Sequence, residues 1–206
     1  MDNKAYLDSI AVKGKGASKA APILSPFIIK LLAVGVVTAI AMMIIGSMLN
    51  STNKKLQVTY DKIYYTYAQL AQNTGPVYNY QKKLKSSAVR AITSQFQTSL
   101  LNTNTQLKNA AGQVHVDTTK YSEDAISEVT ANIAYLQSEF DSGFYAGTLD
   151  KSFATAMYLQ LSKMIADQTE ARQKTDSTTF ASIMESSIKD LTNIQEQYKN
   201  YVDSAY

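Results

Sequence analysis

Residues 56–70 read LQVTYDKIYYTYAQL. Leu56, Tyr60, Ile63, Tyr67 and Leu70 recur at steps of four, three, four and three, the spacing that lines one face of an α-helix. Such a face is stable only against other apolar faces, and the chain supplies them downstream. Asn73-Thr74-Gly75-Pro76 breaks this first helix. The spacing predicts a second from Val77 to a fade at Gly112, with Tyr80, Leu84, Ala88, Ile92, Phe96, Leu100, Thr103 and Leu107 on its face. Its weak point is Asn102-Thr103-Asn104-Thr105, where it is expected to kink or divide.

A third helix opens at Ser122, whose hydroxyl caps free backbone N–H groups, with Glu123 and Asp124 favoured in its first turn by the helix dipole. Its apolar face is Ile126, Val129, Ile133, Leu136 and Phe140. Gly143 and Gly147 bracket a turn, and Thr148 is the N-cap of a fourth helix carrying Leu149, Phe153, Met157, Leu161, Met164 and Gln168. After the polar hinge Lys174-Thr175-Asp176-Ser177, a fifth presents Phe180, Met184, Ile188, Leu191, Ile194 (or Gln195), Tyr198 and Tyr201. No window alternates with strand spacing for long enough to predict a sheet.

Upstream, Leu31–Leu49 reads LLAVGVVTAIAMMIIGSML, and residues 31–53 hold no charge. Roughly 20 apolar residues at ~1.5 Å each cross the ~30 Å hydrocarbon layer. Pro26-Phe27-Ile28-Ile29 extends the stretch backwards and Lys30 can snorkel to the headgroups, so the span is read as 27–49. It is too long for the 7–15 residues of a signal-peptide core and lacks a small-residue cleavage site, which makes it an uncleaved signal anchor. Lysines at 4, 13, 15, 19 and 30 precede it and Lys54, Lys55 and Lys62 follow. That bias places the N-terminus inside and the rest outside.

The expected fold is therefore all-α: a single N-terminal transmembrane helix continuing into an extracytoplasmic antiparallel bundle of four to five helices. Residues 1–26 form a short basic cytoplasmic tail, 27–49 the transmembrane helix and 50–206 the bundle. No Pro or Gly separates 49 from 70, so the membrane helix is expected to run on as one rod.

Composition narrows the chemistry. The 206 residues include no Cys and one His, excluding disulfides, thiol catalysis and Cys-type metal sites. The formal net charge of +3 is too small for a nucleic-acid binder. Ser, Thr, Asn and Gln occupy 64 of the 206 positions, an uncharged polar surface that suits an external domain. His115 has no neighbouring His, Asp or Glu at metal-ligand spacing. Glu123/Asp124 and Glu139/Asp141 are sequence neighbours at helix ends, unlike the facing carboxyls of a glycosidase. Nucleophile-elbow, S-x-x-K, Walker and G-x-G-x-x-G motifs are absent. No catalytic residue, cofactor or metal is expected.

Fourteen Tyr against no Trp is a bias that wants a cause. Tyr60 and Tyr67 share the apolar stripe, whereas Tyr64 and Tyr65 fall off it and are the candidate partner-contact residues. Lys82, Lys83, Lys85 and Arg90 form a basic cluster, read as a solvated face near Glu139 and Asp141 if helices two and three are antiparallel. Within the span, Gly35, Ala39, Met42 and Gly46 form a slim candidate packing face. The order of parts is similar to that of LemA-type envelope proteins, in layout only, and implies no site residue here. The expected role is a membrane-anchored, non-catalytic interaction or structural protein of the cell envelope, its partners the bilayer and a protein or second copy of itself. A ligand-sensing or solute-binding helical module is the alternative, an enzyme the third reading.

Overall fold

The computed structural model describes residues 56–204. The chain divides at Leu49/Asn50, and all the described residues belong to the second unit. The expected span 27–49, its packing face Gly35, Ala39, Met42 and Gly46, and the tail 1–26 lie outside them. Among the described residues no strand occurs and no helix is long and apolar enough to cross a membrane.

Six α-helices carry the described fold. They are α1 (56–70), α2 (Pro76–Gln81), α3 (Ser87–Ala110), α4 (Glu123–Tyr145), α5 (Leu149–Lys174) and α6 (Thr178–Ser204), with a 3₁₀ turn at Ala111–Gln113. Helices α4, α5 and α6 run up, down and up through short connections. α3 packs on α6, α5 lies between α4 and α6, and α2 bridges α3 and α4.

α1 fills the seam below α2 and touches all four long helices. Its Tyr64 reaches the Leu107 carbonyl on α3, and Lys62 pairs with Glu128 on α4 and Asp167 on α5. Tyr67 bonds Ser187 on α6, and the Tyr60 ring lies 4.9 Å from that of Phe180 on α6. A helix enclosed this way buries more than one stripe. Tyr60, Ile63, Tyr67 and Leu70 are buried as the spacing requires, and so are Thr59, Asp61, Tyr64 and Thr66.

The second predicted helix is broken elsewhere than expected. Asn102–Thr105 stays helical within α3, and the interruption falls at residues 82–86. Proline at the start of α2 and three lysines in four residues leave only a short helix. The chain is then recaptured by Ser86, whose Oγ accepts from the Val89 N–H, and by Asp150 of α5, whose Oδ1 accepts from the N–H groups of Lys85 and Ser86. The break resets the helical phase, so Ala88 faces solvent and Val89 enters the core.

α4 starts where expected, with Ser122 Oγ accepting from the Ala125 N–H. Its phase is one residue off at this end: Ala125 is buried and Ile126 is 40% exposed. The α4–α5 turn is a Schellman motif, in which Thr148 N–H donates to the Gly143 carbonyl at 2.8 Å and Gly147 N–H to Phe144 at 3.2 Å. Gly147, at φ +72°, supplies the left-handed residue that motif needs. A Cβ at Gly143 would meet Ser152 Cβ at 2.5 Å, so this glycine sets the close approach of α4 and α5. Thr148 occupies the expected N-cap of α5 but its side chain makes no cap bond. Ser177, in the expected hinge, caps α6 by accepting from Phe180 N–H.

The core runs the length of these helices. Phe140 stacks on Phe153 at 4.4 Å between centroids, and Phe96, Leu136, Met157, Leu191, Ile194 and Tyr198 close round them.

Candidate functional site

The tyrosines of α1 are the first candidates, and the structure separates them. Tyr64 is 2% exposed and donates its hydroxyl to the Leu107 carbonyl at 2.8 Å. Burial drives its pKa well above the ordinary tyrosine range. The expectation that Tyr64 lies off the packed stripe is thus corrected, because α3 covers the flank of α1 on which it stands. Tyr65 is half-buried, its ring 5.0 Å from that of Tyr121 in the loop before α4.

Tyr67 anchors a polar network in the middle of the bundle. Gln168 Nε2 donates to its hydroxyl at 2.8 Å, and the hydroxyl shares a 2.7 Å hydrogen bond with Ser187 Oγ. Burial pushes its pKa up to about 12, against the pull of Ser187, Gln168 and Thr103. A second buried pair joins α3 to α6. Thr93 Oγ1 gives its proton to the Val89 carbonyl, so in its 3.0 Å contact with Tyr198 it accepts and the tyrosine donates. These networks fix which helices neighbour which, since each buried hydroxyl left unpaired would cost ~1–3 kcal/mol.

Charged groups near α1 are likewise structural. Lys62 Nζ lies 2.9 Å from Glu128 and 3.2 Å from Asp167. Burial works against its ammonium, but the two carboxylates outweigh it and hold its pKa above the ordinary lysine value. Burial has the upper hand at Asp167, whose pKa is raised in spite of Lys62. Asp61 is buried and accepts from Gln57 Nε2 at 2.9 Å and from the Ser122 N–H at 3.0 Å, tying the start of α4 to α1. Sequence reasoning missed Asp61 and Asp150, both of which secure the start of a distant helix.

His115 stands exposed in the loop after the 3₁₀ turn, at φ 55°. Asp117 close by accepts from the backbone and hydroxyl of Thr119 at 2.9 and 2.6 Å, which lowers its pKa. Among the described residues no cluster of His, Cys, Asp or Glu could hold a metal ion. Glu123 and Asp124 occupy the first turn of α4.

At the other end of the bundle the basic cluster meets aromatic rings. Lys82 Nζ lies 4.3 Å from the Tyr78 ring centre, and Lys83 Nζ 4.3 Å from that of Tyr80 and 4.8 Å from that of Phe144. Asp141 is brought beside this cluster, hydrogen-bonded by the Tyr80 hydroxyl and by Gln137 Nε2. The acidic partner raises the Tyr80 pKa to about 12, and the same bond holds Asp141 below the usual carboxylate range.

An open groove lies between α3 and α6. It has a volume of about 330 Å³ and is lined by Gln95, Thr98, Ser99, Asn102, Asp190, Asn193 and Ile194. A smaller one of about 150 Å³ lies against Leu70, Tyr78, Gln97 and Leu101. Inside the bundle, the cavity against Ile63, Tyr67, Met164 and Gln168 measures only about 10 Å³. No family model, curated protein or solved structure matches the chain.

Proposed function

We propose that this chain is a membrane-anchored, non-catalytic interaction or structural protein of the cell envelope. Its stretch 27–49 acts as a single-pass signal anchor, and the bundle is displayed outside the cytoplasmic membrane to engage a protein partner or a second copy of the chain. The observation that carries this reading is the filling of the bundle core by its own side chains. Phe96, Phe140, Phe153, Phe180, Leu136 and Tyr198 are each wholly enclosed, and the hydroxyls of Tyr67 and Tyr198 are used in helix-to-helix hydrogen bonds. The uncharged stretch at 31–53 supplies the anchor.

A second reading, a solute-binding helical module, is favoured by the α3–α6 groove. Its 330 Å³ is within the size of small-molecule sites. Its amides and hydroxyls suit a polar ligand, and Asp190 adds a carboxylate for a donor or cationic group. The two readings part in one experiment. The full chain carries a photocrosslinker in place of Tyr135, which is 44% exposed on α4, and is illuminated in native membranes. Native mass spectrometry is run on the same purified chain. A protein-sized adduct with no retained small molecule fits the interaction reading. A small molecule released by Asn102→Leu, with no protein adduct, overturns it in favour of the solute-binding module.

A further inference from the structure

The end of the bundle opposite residue 56 carries a feature that core packing does not use. There the α4–α5 hairpin turns, with Tyr145 83% exposed and Phe144 46% exposed at its tip. The two rings meet edge-on at 5.7 Å, and Phe144 lies 6.5 Å from Tyr80. The Schellman turn with Gly147 closes the hairpin here, and the exposure of the two rings shows that they project from it. Lys82, Lys83, Lys85 and Arg90 are all exposed round it. Glu139, Asp141 and Asp150 share this end of the bundle. Asp141 is taken up by Tyr80 and Gln137, and Asp150 by the N–H groups of Lys85 and Ser86. Four exposed cations thus stand beside exposed aromatic surface.

The geometry points to docking of this tip on an anionic lipid surface, with Phe144 and Tyr145 entering the headgroup layer and Lys82, Lys83 and Lys85 contacting lipid phosphates. A tyrosine, with its polar edge, settles at headgroup depth, and a phenylalanine beside it reaches the headgroup–acyl boundary. Lysines beside an anionic leaflet each strengthen binding about fivefold. A peptide partner is recognised through a groove or strand edge that captures its backbone or, for acidic motifs, through clustered arginines. This hairpin end offers instead ring faces, lysine ammonium groups and a single guanidinium already bonded to the Leu84 carbonyl. α6, 27 residues long, spans about 40 Å, and residue 56 enters the bundle at the opposite end. The tip binding itself does not depend on the anchor.

The test is flotation. The full chain is placed in neutral phosphatidylcholine nanodiscs and mixed with larger vesicles of phosphatidylcholine, with or without phosphatidylglycerol. Capture is expected only by the anionic vesicles, weakening as salt is raised. Lys82→Gln with Lys83→Gln is expected to lower it roughly tenfold or more, and Tyr145→Ser to lower it separately, each with an unchanged melting temperature. Capture by neutral vesicles alike, no capture, or capture indifferent to both variants overturns the proposal. So does binding of a polyglutamate peptide, lost in the lysine variant, while vesicles are ignored. A chain that fails to enter the discs overturns the anchor instead, and flotation of the free chain, read through the same variants, still tests the tip.

Discussion

Tyr64 on α1 donates its hydroxyl to the backbone carbonyl of Leu107 on α3 at 2.8 Å, across 43 residues of sequence. This bond makes α1 an integral part of the bundle and not a separate stalk. Tyr64→Phe is expected to cost the domain about 1 kcal/mol, and Tyr64→Ala about 3–5 kcal/mol with its ring volume lost from the core. Tyr65→Ala, at a half-buried position, is expected to cost well under half of the latter. Denaturant melts of the three variants give the comparison.

Ile63 and Leu136 are 3% and 0% exposed. Replacing either by Ala is expected to destabilise by about 2–5 kcal/mol. A melt unmoved by Ile63→Ala contradicts the placement of α1 in the core.

The ion pair of Lys62 with Asp167 predicts a coupling. Lys62→Met leaves a half-buried carboxylate without its cation and is expected to cost about 1–3 kcal/mol. Asp167→Asn on that background is expected to restore part of the loss, since burial already favours the neutral form of this carboxyl. The measurement is a double-mutant cycle by urea unfolding.

At alkaline pH the buried tyrosines set the limit. Tyr67 ionises near 12 in the fold because of burial, against about 10 in an unfolded chain. A raised folded pKa means that the stabilisation is whole below pH ~10 and is lost as pH rises through ~12. Tyrosinate absorbance is therefore expected to rise in two steps, the second coinciding with loss of helical circular dichroism.

In acid the sign reverses for Asp141. Its folded pKa is lowered, first by the Tyr80 hydroxyl and then by Gln137. Its contribution is present above an unfolded value of about 3.9 and disappears as pH falls through the folded one. Tyr80→Phe is expected to raise the Asp141 titration midpoint, read by carboxyl-carbon NMR.

Much of this fold was legible because the core faces repeat at helical spacing. Leu149, Phe153, Met157, Leu161, Met164 and Gln168 are all buried on α5 as their steps require, and Ser122 begins α4 as a cap. What escaped the sequence is tertiary. A heptad stripe assumes one covered face, and α1 is covered on several, so Tyr64 and Asp61 are buried where the pattern leaves them outside. Pro76, the lysines at 82, 83 and 85 and the Ser86 cap weaken the helix locally, but the break is completed by Asp150, a residue 64 positions beyond Ser86. Lys83 and Asp141 were expected to approach through the antiparallel pairing of helices, but the rings between them come from Tyr80 and Phe144.

The proposed function stands or falls on which side of the membrane the bundle lies. The chain has no Cys, so single cysteines report without background. In intact cells, a membrane-impermeant maleimide is expected to label Thr155→Cys, exposed on α5, and to reach Ala17→Cys only after lysis. Labelling of Ala17→Cys with Thr155→Cys protected contradicts the external bundle, and release of the whole chain into the soluble fraction contradicts the anchor.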